Sequence, residues 1–206
     1  LDMSKIESGK MTLTAERISL REVIEGIVSI VQTQVKGKRQ NFNVHIDNIV
    51  VEDVYCDSVR LNQVLLNLLS NAVKYTQEGG TIQLSLYQEE APQEKGGDFI
   101  RTHVFVKDNG IGMTAEFLEH IFDSYSRADS KRVQKTEGAG LGMAITKYIV
   151  DAMKGTILVE SEPEKGTQFH LILDLEKAIV QEVDMVLPPW KMLVVDDDEV
   201  LCRTAA

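Results

Sequence analysis

Between Ser58 and Tyr75, the residues Leu61, Val64, Leu65, Leu68, Leu69, Ala72 and Val73 recur at intervals of three and four. That spacing predicts a helix over 57–75 with one apolar stripe, closed off by Gly79-Gly80 beyond its end. Such a stripe needs an apolar surface to lie on. Upstream, Ser19 and Glu22 have capping-box spacing, and Leu20, Val23, Ile24, Ile27, Val28, Val31 and Val35 follow at helical intervals. This predicts a second helix packed by one face. Strand-like runs supply the surface: NFNVHI (41–46), VEDVYC (51–56), TIQLSLY (81–87), RTHVFVKD (101–108), GTILVES (155–161) and TQFHLILDL (167–175). A short helix is predicted around 115–122. Another, from about 141 to 153, bears Leu141, Ile145, Tyr148, Ile149 and Ala152. The order predicts an α+β fold, a two-layer sandwich of one mixed sheet with helices on one face.

The connecting segments divide into two kinds. QEEAPQEKGGD (88–98) reads as an exposed loop, whereas DSYSRADSKRVQKTEGAG (123–140) is too long and polar for a plain connection and reads as functional or mobile. Residues 1–10 look like the last turns of a helix stopped at Gly9. EKAIVQEVDMVLPPW (176–190) reads as a linker, and KMLVVDDDEV (191–200) as an apolar strand running into acids. Both ends read as cuts from a longer protein. No apolar run approaches the ~18 residues of a membrane span, so no direct membrane contact is expected. The net charge of -10 argues against nucleic acid and requires any phosphate ligand to be held locally. Cys56 and Cys202 have no metal-ligand spacing and read as reduced thiols of a cytoplasmic protein.

Asn67, Asn71 and Lys74 fall within a ~60° sector on the flank of the apolar stripe. They are either a solvated helix face or an amide oxygen for a hard cation beside a point charge for phosphate. Asp108-Asn109-Gly110-Ile111-Gly112-Met113 follows a strand directly. It is either an ordinary Asn-Gly turn or an acceptor for an exocyclic amine, with glycines against a flat ring and Met113 as apolar contact. Gly138, Gly140 and Gly142 alternate into a helix around Leu141, as a flexible loop or as a phosphate site at a helix N-terminus. Their spacing matches neither a Walker A loop nor a dinucleotide fingerprint. Arg127, Lys131, Arg132 and Lys135 are a solvated loop or a lid over a triphosphate.

NLLSNAVKYT (67–76), DNGIGM (108–113), FDSYSR (122–127), EGAGLGMAI (137–145) and KGTQFHL (165–171) together closely resemble the successive boxes of the sensor histidine kinases. The resemblance covers roughly residues 11–176 and implies the Bergerat ATP-binding fold. It implies ATP and Mg²⁺ as cofactors, with Asn71 as the metal ligand and Asn67 as a polar neighbour at the metal and phosphates. Lys74 is then the phosphate lysine, Tyr75 lines the adenine side, and Asp108 receives the adenine amine between Gly110, Gly112 and Met113. Gly138, Gly140, Leu141 and Gly142 lie beside the phosphates, Arg127 belongs to the lid, and Thr167 lies near adenine.

The same resemblance divides the chain. Residues 1–10 resemble the end of the dimerisation helix hairpin, 11–176 the catalytic domain, 177–190 a linker, and 191–206 the start of a receiver domain. Asp196 and Asp197 then belong to an incomplete receiver Mg²⁺ pocket. Expected partners are the dimerisation and phosphoacceptor helices of the same protein, the receiver domain, and a second copy in a full-length homodimer. Ala139 and Tyr125 depart from the commoner Thr and Phe. His45, His103, His120 and His170 all lack the phosphoacceptor setting and read as ordinary histidines. Two alternatives share the pocket. One is an ATP hydrolase of the gyrase, chaperone and mismatch-repair group, which places a Glu where Asn67 stands. The other is a non-catalytic ATP-binding regulatory module.

Overall fold

A computed structural model describes residues 11–124 and 140–178. Strand β1 (Glu16–Ser19) leads into helix α1 (Leu20–Gly37), and β2 (Asn41–Ile46) and β3 (Asp53–Cys56) follow. Helix α2 (Ser58–Tyr75) precedes the long strands β4 (Thr81–Glu90) and β5 (Phe99–Asp108). After one helical turn at Ala115–Leu118 come α3 (Gly142–Ala152), β6 (Thr156–Glu162) and β7 (Gly166–Lys177). The seven strands make one mixed sheet in the order β1-β3-β7-β5-β4-β2, with β6 also beside β7. Only the β2–β4 pair is parallel. Among the described residues no helix is long and apolar enough to cross a membrane.

The predicted stripe of α2 is the observed one, since all seven of its apolar positions are buried. Helix α1 buries Leu20, Val23, Ile24, Ile27, Val31 and Val35, and Ser19 caps it by accepting from the Glu22 N–H at 3.2 Å. These side chains meet Ile82, Leu84 and Leu86 of β4, Ile100, Val104 and Val106 of β5, and Phe169, Leu171, Leu173 and Leu175 of β7 in one core. The alternation of the strands thus puts a single face under the helices. The opposite face carries a ladder of stacked rings. Tyr87 lies 4.5 Å from His103, and Phe105 lies 4.0 Å from His170, centroid to centroid.

Several expectations need correction. Strand β1 was not foreseen; four residues are too few to show a period and are ordered by pairing with β3. Strand β3 begins at Asp53 rather than 51, and the predicted 115–122 helix is a single turn. The supposed loop 88–98 is shorter, because β4 continues through Gln88 to Glu90. Gln88 is fully buried, where its Oε1 accepts from the Val50 and Val51 N–H groups and its Nε2 donates to the Val51 carbonyl. Helix α3 buries Met143, Thr146, Ile149 and Val150, so of the residues read on that helix Ile149 is buried and Ile145 packs against the core partly buried. The helix end expected at 1–10, Tyr125, Arg127, Lys131, Arg132, Lys135, Gly138, Ala139, the linker beyond Ala178 and Asp196 and Asp197 lie outside the described residues.

Candidate functional site

Helix α2 is anchored at both ends. At its start, Asp57 accepts from the Arg60 N–H at 3.0 Å. At its finish the last carbonyls are all engaged. Lys38 Nζ donates to the Val73 and Lys74 carbonyls at 2.8 and 2.9 Å, and Gln40 Nε2 to those of Val73 and Thr76 at 3.0 and 2.6 Å. The Tyr75 carbonyl accepts from the Ile111 N–H at 3.3 Å, which ties the helix end to the DNGIGM loop. Lys74 lies with its ammonium 5.0 Å from the Tyr75 ring centroid.

Asp108 ends β5 opposite Thr167 of β7 and is only 7% exposed. Its Oδ1 accepts from the Gly110 N–H at 2.8 Å. Burial raises its pKa to about 6, although the Gly110 and Thr167 N–H groups pull it down. The glycines around it are steric necessities. A Cβ on Gly110 would press on the Tyr75 carbonyl, one on Gly112 would collide with the Glu162 carbonyl, and one on Gly166 with the Asp108 carbonyl. Ser161 closes this knot by accepting from the Met113 N–H at 2.9 Å and lying 3.0 Å from the Thr167 hydroxyl.

Asn67 and Asn71 face α3. Asn67 Nδ2 donates to Thr146 Oγ1 at 2.8 Å and approaches Met143 Sδ at 3.7 Å, while Asn71 Nδ2 reaches Met143 Sδ at 3.3 Å. Gly142 is obligatory here because its Cβ would strike the Asn67 side chain. Gly140 takes φ +71°, and α3 starts at Leu141 with no side-chain cap. Helices α1 and α2 both have one. The first N–H groups of α3 therefore suit an anion. Among the described residues no group of three or more His, Cys, Asp or Glu is placed to hold a metal ion. Neutral amide oxygens fit a hard cation whose shell phosphate oxygens complete.

The structure thus gathers Asn67, Asn71, Lys74, Tyr75, Asp108, Gly110, Gly112, Met113, Gly140, Leu141, Gly142 and Thr167 around α2 and the strand ends beside it. Sequence reasoning missed Thr146, Met143 and Ser161 as supporting residues, because a buried hydroxyl or thioether carries no local signal. It also gave no separate reason for Gly166, whose φ of +101° and tight fit on Asp108 supply one.

Comparison with known proteins agrees with this geometry. The family described as histidine kinase-, DNA gyrase B- and HSP90-like ATPase matches residues 56–177. The sensor histidine kinase GacS of Pseudomonas protegens is 31% identical over 193 residues, covering 92% of this chain and 20% of GacS. The autoinducer 2 sensor kinase/phosphatase LuxQ of Vibrio vulnificus is 34% identical, covering 88% of this chain and 21% of LuxQ. The chain therefore spans about a fifth of the length of these relatives. Among solved structures, full-length ShkA in complex with AMPPNP has a TM-score of 0.71 at 23% identity, over 86% of this chain and 34% of that one. The catalytic domain of histidine kinase ThkA has a TM-score of 0.62 at 25% identity, over 79% and 96%. With Asn67 and Asn71 of α2 packed against α3 and Asp108 buried at the strand end, the chain belongs to the histidine kinase-, DNA gyrase B- and HSP90-like ATPase family.

Proposed function

We propose that residues 11–176 are the catalytic domain of a hybrid sensor histidine kinase, which holds Mg²⁺-ATP for transfer of the γ-phosphate to a His on the dimerisation helices of the same protein. In this reading residues 1–10 end that hairpin, 177–190 are a linker, and 191–206 open a receiver whose Asp196 and Asp197 belong to its Mg²⁺ pocket. The full-length protein works as a homodimer. ATP as substrate puts the domain on the cytoplasmic side.

The observation that carries the reading is the convergence on α2 of two asparagines, a buried carboxyl and an uncapped helix start. Asp108 accepts from the adenine amine while Tyr75, Met113 and Thr167 line the base, with Gly110 and Gly112 letting backbone approach it. Asn71 offers its oxygen to Mg²⁺ beside Asn67, and Lys74 and Arg127 contact the phosphates. Gly138, Gly140, Leu141 and Gly142 bring the α3 N–H groups to the phosphates. When bound, Mg²⁺ supplies neutralisation of phosphate charge. The domain's contribution is position: it holds the γ-phosphate in line for an imidazole nitrogen. Asn67 cannot serve as a general base for water, which disfavours the hydrolase alternative.

Calorimetric titration of the whole chain with ATP and ADP tests this. Asn71→Ala should abolish the Mg²⁺-dependent part of the affinity, and Asp108→Ala should weaken adenine binding by ~1–3 kcal/mol. Unchanged affinities in both variants would remove the assignment.

A further inference from the structure

We propose that α3 sets the polarity of the Asn71 amide, with Met143 as the positioning residue that holds its nitrogen and leaves its oxygen for the cation, while Thr146 anchors Asn67 beside it. The proposal rests on the reading of Asn71 as the cation-facing residue, and extends it to residues that touch neither nucleotide nor metal.

An asparagine side chain has a donor end and an acceptor end, and only the oxygen can serve a hard cation. On an open helix flank the two orientations differ little, because water satisfies either. Here the flank is closed by α3. Asn71 Nδ2 lies 3.3 Å from Met143 Sδ, and Asn67 Nδ2 lies 2.8 Å from Thr146 Oγ1 and 3.7 Å from the same sulfur. A thioether accepts and never donates. Reversing either amide would set an oxygen against sulfur with no hydrogen between them. Thr146 is 1% exposed, and its hydroxyl can accept or donate, so it anchors Asn67 while the sulfur fixes the direction of the amide that rests on it.

Geometry also limits rotation. The Asn67 oxygen itself lies against Gly142, so closely that a Cβ there would strike it, which leaves this amide no room to swing past the first turn of α3. Met143 and Thr146 lie three residues apart and are both buried, on one face of α3 turned to α2. The seam between the helices therefore consumes both amide nitrogens before any nucleotide arrives. The Asn71 oxygen is left as the available end, preorganised rather than recruited.

The test uses the whole chain with ¹⁵N-labelled asparagine and the variants Met143→Leu, Thr146→Val and Thr146→Ser. Without nucleotide, Met143→Leu should shift the side-chain amide signals of Asn71, and Thr146→Val those of Asn67. Thr146→Ser should leave the Asn67 signals near their native positions. Titration with ADP should then show the Mg²⁺-dependent gain in affinity reduced about 10- to 100-fold by Met143→Leu and Thr146→Val, the scale of lost outer-shell partners, and kept by Thr146→Ser. Affinity without Mg²⁺ should stay within about twofold. Amide signals that do not move in Met143→Leu, or an undiminished Mg²⁺-dependent gain in that variant, overturn the proposal even if Thr146→Val fails to fold. Asn71→Ala separates the two levels. If it loses the gain while Met143→Leu keeps it, the positioning role falls and the cation reading stands; if it keeps the gain, the cation reading itself falls.

Discussion

Burial at the end of β5 raises the Asp108 carboxyl to about 6, while the same group in an unfolded chain titrates near 3.8. Between those values the folded state keeps a proton that the unfolded state has lost, so stability falls as pH rises through the window. Above 6 the full cost of a buried carboxylate is present. Asp108→Asn keeps an oxygen for the Gly110 N–H and removes that charge. Urea titrations should find the variant more stable than the native chain above pH 6, by on the order of 1–3 kcal/mol, with the difference closing below pH 4. It should bind ATP worse all the same. A stability profile that stays flat from pH 4 to 7 in the native chain would contradict the burial argument. On the proposed reading the carboxyl is kept for adenine recognition despite this cost to stability.

The finish of α2 shows the same economy at the level of elements. Helix ends leave four carbonyls without partners, and here Lys38, Gln40 and the Ile111 N–H take the Val73, Lys74, Tyr75 and Thr76 oxygens. Burial, and then Lys74, lower the Lys38 pKa, the cost of bringing its ammonium to the helix C-terminus. Gln40→Leu should cost ~1–3 kcal/mol by orphaning the Thr76 carbonyl, and Lys38→Met about 1 kcal/mol, read as lower urea midpoints. Both should weaken ATP binding less than Asp108→Ala does. None of this could be read locally, since Lys38 and Gln40 look like polar loop residues until β2 pairs with β4. The buried faces of α1 and α2 were legible because their period is local. The face of α3 was not: its buried Thr146 is chosen by Asn67 across the seam, and a threonine carries no apolar signal. Likewise Gln88 reads as polar loop until its amide is seen holding Val50 and Val51. At the site, Asn71, Asp108 and the glycines were singled out through the joint pattern of boxes, each alone reading equally as a solvated face or a turn, whereas the supports Ser161, Met143 and Thr146 belong to no such pattern.

At the scale of the whole molecule, none of the four histidines is offered as a nucleophile. His103 is buried, with Nδ1 2.8 Å from His170 Nε2 and Nε2 3.1 Å from Glu89. His45 lies in edge strand β2, and exposed His120 pairs with Asp123 at 2.8 Å. Incubated with labelled ATP, this chain alone should gain no phosphohistidine, and added dimerisation helices should take up the label themselves. Acid-labile label on the chain alone would refute the expectation. The sheet order carries a consequence of another sort. Strand β7 is the last of the described strands, yet it lies in the middle of the sheet, against β5 on one side and β3 and β6 on the other. It also brings Thr167 and Gly166 to Asp108. During synthesis the end of the sheet that holds Asp108 therefore cannot be completed until β7 has left the ribosome, and β5 waits with an unpaired edge. ATP can stabilise only the finished molecule and gives no help to the nascent chain, so that interval of exposure falls to chaperones.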